Sequence, residues 1–216
     1  MQNRQLLSQK QHKLDIKGSL LTVSQQKVAA EALGAAFSRD PFMSYVFPKA
    51  TTRERNIAAV FYPLIRCNMT YGNVEIARNG EGILLWISGK RLPLPLQMLV
   101  RSGMIWTPFR VGQAAFKRLE NHEAFCDQAV EAIAPEGFAY MWVVGVHPDS
   151  AGKGLGKQMI QSAIGTMRRQ GHSACILRTD NEKNVALYEH LGFEQVSAGI
   201  EPSSQLPYWL LLQTLT

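Results

Sequence analysis

From Tyr140 to Met167 the chain reads as a strand, a glycine-rich turn and a helix, and this unit restricts the fold more than any other stretch. Met141, Trp142, Val143, Val144 and Val146 form a β-branched and aromatic run too short for a helix and closed by Pro148, which predicts a buried strand. Leu155, Met159, Ile160, Ala163, Ile164 and Met167 then recur at helical spacing until Gly171 ends the pattern. Between them, Gly152, Gly154 and Gly156 leave the backbone free to take positive φ and to approach a ligand closely. The first N–H groups of a helix lack internal partners and carry partial positive charge. The segment Gly152, Lys153, Gly154, Leu155, Gly156 and Lys157 therefore predicts a pyrophosphate-binding turn, with the two lysines adding to the field.

Spacing separates the phosphate-binding motifs that compete for these residues. A Walker loop needs glycine and Ser/Thr where this chain has Ala151 and Gln158. A dinucleotide fingerprint needs a third glycine where Lys157 stands, and no acidic residue follows at a second strand end about twenty positions on. The remaining pattern, strand, then Pro148 to Gly156, then helix, resembles the acetyl-coenzyme A turn of the GNAT acetyltransferase superfamily. A second block strengthens the likeness: after an apolar strand from Cys175 to Thr179, the stretch Asn184 to Phe193, with Tyr188 and Gly192-Phe193, is similar to the family's downstream signature. The likeness is close over the last eighty or so residues, loose from Ala36 to Trp86, and slight from Gly89 to Pro135. One departure is Ala151, where the family usually has Gln or Arg; a side-chain hydrogen bond is lost there, but the backbone donors are not.

The resemblance implies a single α/β domain over residues 21–216, with a mixed, mostly antiparallel sheet splayed at the cofactor and helices on both faces. Residues 89–135 would form an acceptor-side insertion, and residues 1–20 a polar extension. It also implies acetyl-coenzyme A as cofactor and direct attack of a small-molecule amine on the thioester. An N–H near Val144 or Gly145 would polarise the thioester carbonyl, with Gly145 suited to a bulge, and Val146 would pair with the pantetheine amides. Tyr188 would be the general acid: a phenol near pKa 10 stays protonated at neutral pH and can donate to the departing thiolate. Without the family likeness, Tyr188 reads as core packed with Leu187 and Leu191. Asn184 would bond a cofactor amide or serve the start of its helix. The general base stays open among Glu75, His147, Asp180, Glu201 and water, with His147 read mainly as a solvated turn residue. Cys175 is expected in the core rather than as an acyl carrier. Within the superfamily the arrangement is similar to the puromycin-type branch. The alternatives are a coenzyme A-binding sensor without transfer activity and, against the spacing, a nucleotide-binding protein.

Bulk properties narrow the classes further. A net charge of +6 and a pI near 9.3 suit a polyanionic cofactor; the basic residues are scattered beyond pairs, which argues against nucleic acid. Cys67, Cys126 and Cys175 are widely spaced, which fits a reducing cytoplasm and predicts neither a disulfide framework nor a metal site. No signal-like or membrane-spanning apolar run is present, and a homodimer is compatible with the chain.

Elsewhere, Ser24 is expected to cap a helix that ends before Asp40-Pro41, and Thr52 to Met69 a second helix. Gly72 to Arg78 and Gly82 to Ile87 read as strands joined by a type I′ turn at Asn79-Gly80. Arg91 to Trp106, interrupted by prolines, reads first as core filling and second as a lid over the acceptor. Gln113 to Ile133 reads as a helix, and Phe193 to Ser197 and Pro207 to Leu212 as antiparallel strands.

Overall fold

A computed structural model describes residues 21–77 and 80–215. The polar extension over 1–20 and the turn residues Arg78 and Asn79 lie outside the described residues. Six strands form one sheet: β1 (Asn73–Ala77), β2 (Gly82–Ser88), β3 (Ala139–Val146), β4 (Ala174–Thr179), β5 (Glu194–Ile200) and β6 (Pro207–Thr214). Their order is β1-β2-β3-β4-β6-β5, antiparallel throughout except between β3 and β4. That parallel pair is joined by α7 (Leu155–Arg169), as a parallel connection requires a crossover.

Two layers of helices cover the sheet. On one face lie α1 (Val23–Ala36), α2 (Pro41–Val46), α3 (Ala50–Tyr71) and α6 (Gln113–Ile133), packed over Ile83, Leu85, Val143, Tyr140 and Ile176. On the other, α7 and α8 (Val185–His190) cover Leu84, Trp86, Met141 and Leu177. The predicted stripe of α7 is the buried one: Leu155, Met159, Ile160, Ala163, Ile164 and Met167 all face the sheet. Burying one such large side chain stabilises the fold by about 1.5–3 kcal/mol, so this stripe anchors the turn that precedes it.

Three local readings change. Thr22, not Ser24, caps α1: its hydroxyl accepts from Gln25 N–H, and Gln25 Oε1 accepts from Thr22 N–H at 2.9 Å, a reciprocal capping box. A short helix, α2, follows the Asp40-Pro41 stop, because Asp40 caps Met43 N–H and proline is tolerated in a first turn. Arg91 to Trp106 is mostly not core. It holds α4 (Leu96–Ser102), which buries Met98 but leaves Leu96 and Val100 half exposed or more, and a turn that leaves Trp106 so before α5 (Thr107–Val111) begins. Short turns with Pro93 and Pro95 between them cannot aim one continuous apolar stripe inward.

Candidate active site

The sheet opens between β3 and β4. The two strands pair only at Ala139–Cys175, Tyr140–Ile176 and Met141–Leu177, and beyond Met141 they part. The cause lies one residue further along β3, where Leu85 faces Val143 while Trp86 faces Met141, so Trp142 is an extra, unpaired residue. A bulge bends a strand and raises its twist. Because of it, Trp142 and Val143 both face the α1/α6 side, whereas Met141, Val144 and Val146 face α7. The bulge expected at Gly145 is therefore at Trp142. Gly145 is in register opposite Ile83, and its glycine has another reason: a Cβ there would collide with Leu33 and stand 3.0 Å from Phe37, so α1 can approach only a bare backbone.

The register also fixes which backbone groups face the gap. His147 N–H donates to Glu81 O at 2.7 Å, across the β2 side. Alternation along a strand then turns the N–H groups of Val143 and Gly145 toward β2 and those of Val144 and Val146 toward the gap. Of the two predicted carbonyl donors, only Val144 faces the opening.

The glycine turn lies at the wide end. A 3₁₀ turn over Pro148–Ser150 uses the N–H groups of Ser150 and Ala151, and the first intrahelical bond of α7 is Gln158 N–H to Gly154 O, 3.1 Å. Among the described residues, the N–H groups from Gly152 to Lys157 take no backbone carbonyl. Gly152 and Gly154 both have φ of +75°, which side-chain-bearing residues rarely adopt. The first turn of α7 also carries no acidic residue to occupy those donors. Both lysines are exposed but differ in contacts: Lys153 Nζ donates to Ser150 Oγ (3.1 Å), which donates to Glu81 Oε2 (2.7 Å), so Lys153 partly braces the turn. His147 also belongs to the turn, its Nδ1 accepting from Asp149 N–H.

On the α7 face, Tyr188 is 8% exposed and packs edge-on against Phe193, with Leu187 turned outward. Burial, then the neighbouring Cys175, pushes its phenol up to about 12. Asn184 Nδ2 donates to Thr179 Oγ1 (3.2 Å) and makes no cap bond, so it ties the start of α8 to the end of β4. Cys175 is fully buried and its thiol pushed further up by burial. Glu75 lies on the outer strand beneath α7; burial raises its carboxyl to about 7 against the pull of Ser162 and Arg169.

Across the gap, on the α6 face, the structure assembles a buried charged cluster. His122, fully buried on α6, has Nε2 at 3.2 Å from Asp180 Oδ1 and Nδ1 at 3.1 Å from Ser204 Oγ and 3.5 Å from Glu201 Oε2. Arg178 of β4 donates to both oxygens of Glu123 (2.7 and 3.3 Å) and lies 3.3 Å from Asp180 Oδ2. Phe42 of α2 stacks on the His122 ring at 4.0 Å. Two of the base candidates, Asp180 and Glu201, thus meet on either side of one histidine, whereas Glu75 and His147 stand apart from it. Glu201 is held down to about 2, because bonds from Ser204 and Ser203 outweigh its burial. Asp40 is raised to about 6 by burial, with the Asp180 charge adding to it. His122, Cys126 and Asp180 bring three donor atoms within 4.8 Å. Those donors are already committed, Asp180 to His122 and Arg178, while burial pushes the Cys126 thiol up to about 12, which favours a proton over a metal. Reading the sequence alone missed His122, Glu123, Arg178 and Ser204. The one local clue was Arg178 and Asp180, two charges on alternate positions leaving an apolar strand.

Comparison with known proteins fits this geometry. Residues 110–193 match the model of the Acetyltransferase (GNAT) family. A Corynebacterium glutamicum structure, described as histone acetyltransferase HPA2 and related acetyltransferase, superposes with a TM-score of 0.57 over 90% of this chain and 93% of its own, at 19% identity. The fold is a GNAT fold. A mosquito arylalkylamine N-acetyltransferase-like protein shares it, with a TM-score of 0.56 over 91% of this chain and 98% of its own, at 15% identity. Among curated proteins, the mycothiol acetyltransferase of Saccharomonospora viridis is 38% identical over 63 residues, 28% of this chain and 21% of its own. The chain spans about a fifth of the length of the curated relatives it matches. The GNAT-matched segment holds the bulged strand, the glycine turn and α8, but begins after α1 to α4.

Proposed function

We propose that this protein transfers an acetyl group from acetyl-coenzyme A to the amine of a small molecule. The observation that carries the reading is the continuous row of unpaired N–H groups from Gly152 to Lys157 beside a gap that exposes the Val144 and Val146 N–H groups. The GNAT fold and the matched segment support coenzyme A as the occupant. The turn takes the pyrophosphate, Val146 pairs with the pantetheine, and the Val144 N–H donates to the thioester oxygen as charge develops there. Tyr188, held protonated by its buried position, gives its proton to the departing thiolate.

The acceptor approaches from the α6 face. Asp180 closes β4 beside the gap and is the base candidate the cluster favours: a proton it takes from the amine can pass to His122, whose other ring nitrogen faces Ser204 and Glu201. With Asp180, Glu201 and Glu123 against Arg178 and His122, the cluster has carboxylates enough to hold an ammonium group before it is deprotonated. The motif arrangement resembles the puromycin-type branch, which supports a small molecule over a protein tail.

Titration calorimetry with acetyl-coenzyme A, with ATP and NAD as controls and thiol release followed in parallel, tests the reading. Selective binding of acetyl-coenzyme A, followed by amine-dependent thiol release across an amine library, is the expected result. Binding of ATP or NAD instead would sink it; binding without amine-dependent turnover would leave a coenzyme A sensor.

A further inference from the structure

At the end of the sheet away from the gap, a cavity of about 770 Å³ opens between the start of β1, the end of β2 and the end of α7. Its volume lies in the range of small-molecule sites. Three features give it a chemical character. Lys90, Arg91 and His172 line it, and no carboxylate does. Trp86 and Tyr71 belong to its wall, with the Trp86 indole N–H and the Tyr71 hydroxyl both buried and without a hydrogen-bond partner among the described residues. Pro93, Pro95 and Met98 supply an apolar wall opposite.

Near the cavity, the carbonyls of Thr166, Met167 and Arg168 of α7 accept from Gln170, His172 and Gly171 N–H groups, and Gly72 N–H caps α3 at Asn68 O. What the lining presents is a set of basic side chains with no carboxylate among them. We propose that this cavity binds a small organic anion, a carboxylate or a phosphate monoester with an apolar body. Arg91 and Lys90 meet the charge with His172 beside them, and the proline and methionine wall takes the body. The site is separate from the glycine turn, since Trp86 pairs with Met141 at the closed part of the sheet. It stands whether or not the chain transfers acetyl groups.

The test is calorimetry of the full chain with benzoate and, separately, phenyl phosphate, each repeated with saturating coenzyme A. Expected is saturable binding of at least one probe that coenzyme A leaves unchanged. It should weaken about tenfold or more in Lys90→Ala/Arg91→Ala, both exposed positions. The preferred probe tells carboxylate from phosphate. The proposal is overturned if neither probe saturates, if coenzyme A displaces the bound probe, or if the double variant binds as tightly as the parent.

Discussion

On the α7 side of the gap the proposed chemistry rests on backbone N–H groups from one stretch, Gly152 to Lys157, joined by Val144 and Val146. On the α6 side it rests on side chains from four segments: Asp40 and Phe42, His122 and Glu123, Arg178 and Asp180, and Glu201 with Ser204. A backbone site depends on conformation, so it tolerates any side chain that permits the right φ and leaves the space open. A side-chain site depends on identity and on the packing of distant elements. The two halves should therefore break differently.

The largest effect is expected at the turn. Gly154→Asp puts a side chain on a φ of +75° and a negative charge among the free donors, and coenzyme A affinity should fall more than about a hundredfold. Calorimetry reads this directly, and unchanged affinity would remove the turn assignment. On the other side, His122→Asn leaves Asp180 and Glu201 facing each other without their shared partner. Leaving buried hydrogen-bonding groups without a partner costs about 1–3 kcal/mol, visible in urea unfolding, while coenzyme A affinity of the folded fraction stays as it was. Coupled losses in both variants would mean that the two halves are one site energetically.

The same contrast explains what the sequence disclosed. Strand, turn and helix from Tyr140 to Met167 were legible because hydrophobic period and glycine position are local signals. The splay was expected only from family likeness, and its cause, the bulge at Trp142, was assigned to Gly145. A strand glycine signals either a bulge or a close neighbour, and here the neighbour is Leu33, over a hundred residues away in the chain. His122 was unreadable for a related reason. It occupies an inward position on α6 with Cys126 one turn on, and nothing in α6 announces the carboxylates of β4 and of the β5–β6 turn that meet it. Asp180 and Glu201 could be named as candidates, but not as a pair.

Glu75 offers a control on the α7 side that lies outside the gap. Its carboxyl titrates near 7 in the fold against about 4.5 ordinarily, because burial disfavours the charge. The neutral form is thus the one the fold favours: the contribution is full below 4.5 and is lost as pH rises through 7. Glu75→Gln should be more stable than the parent at pH 8 by about 2–3 kcal/mol and nearly equal at pH 4. Denaturation at the two pH values checks this, and a variant less stable at pH 8 would mean that ionised Glu75 is paired. Tyr188→Phe comes next, with turnover down about 10- to 100-fold and coenzyme A affinity retained, since only a proton donor is removed. Equal turnover would make Tyr188 a packing residue against Phe193.

The smallest effect separates the two sides most sharply. Gly145 sits between Val144 and Val146, whose N–H groups face the gap, yet its own N–H faces β2 and its missing side chain faces α1. Gly145→Ala therefore burdens the acceptor-side layer, where the end of Leu33 and the edge of Phe37 must give way, at a cost of about 1–2 kcal/mol. The backbone proposed to meet the cofactor keeps its pleat, so coenzyme A affinity should hold within about twofold. Paired unfolding and calorimetry on this one variant read both quantities. Should affinity fall by more than stability, residue 145 shapes the gap itself and the division between a backbone face and a side-chain face does not pass through β3.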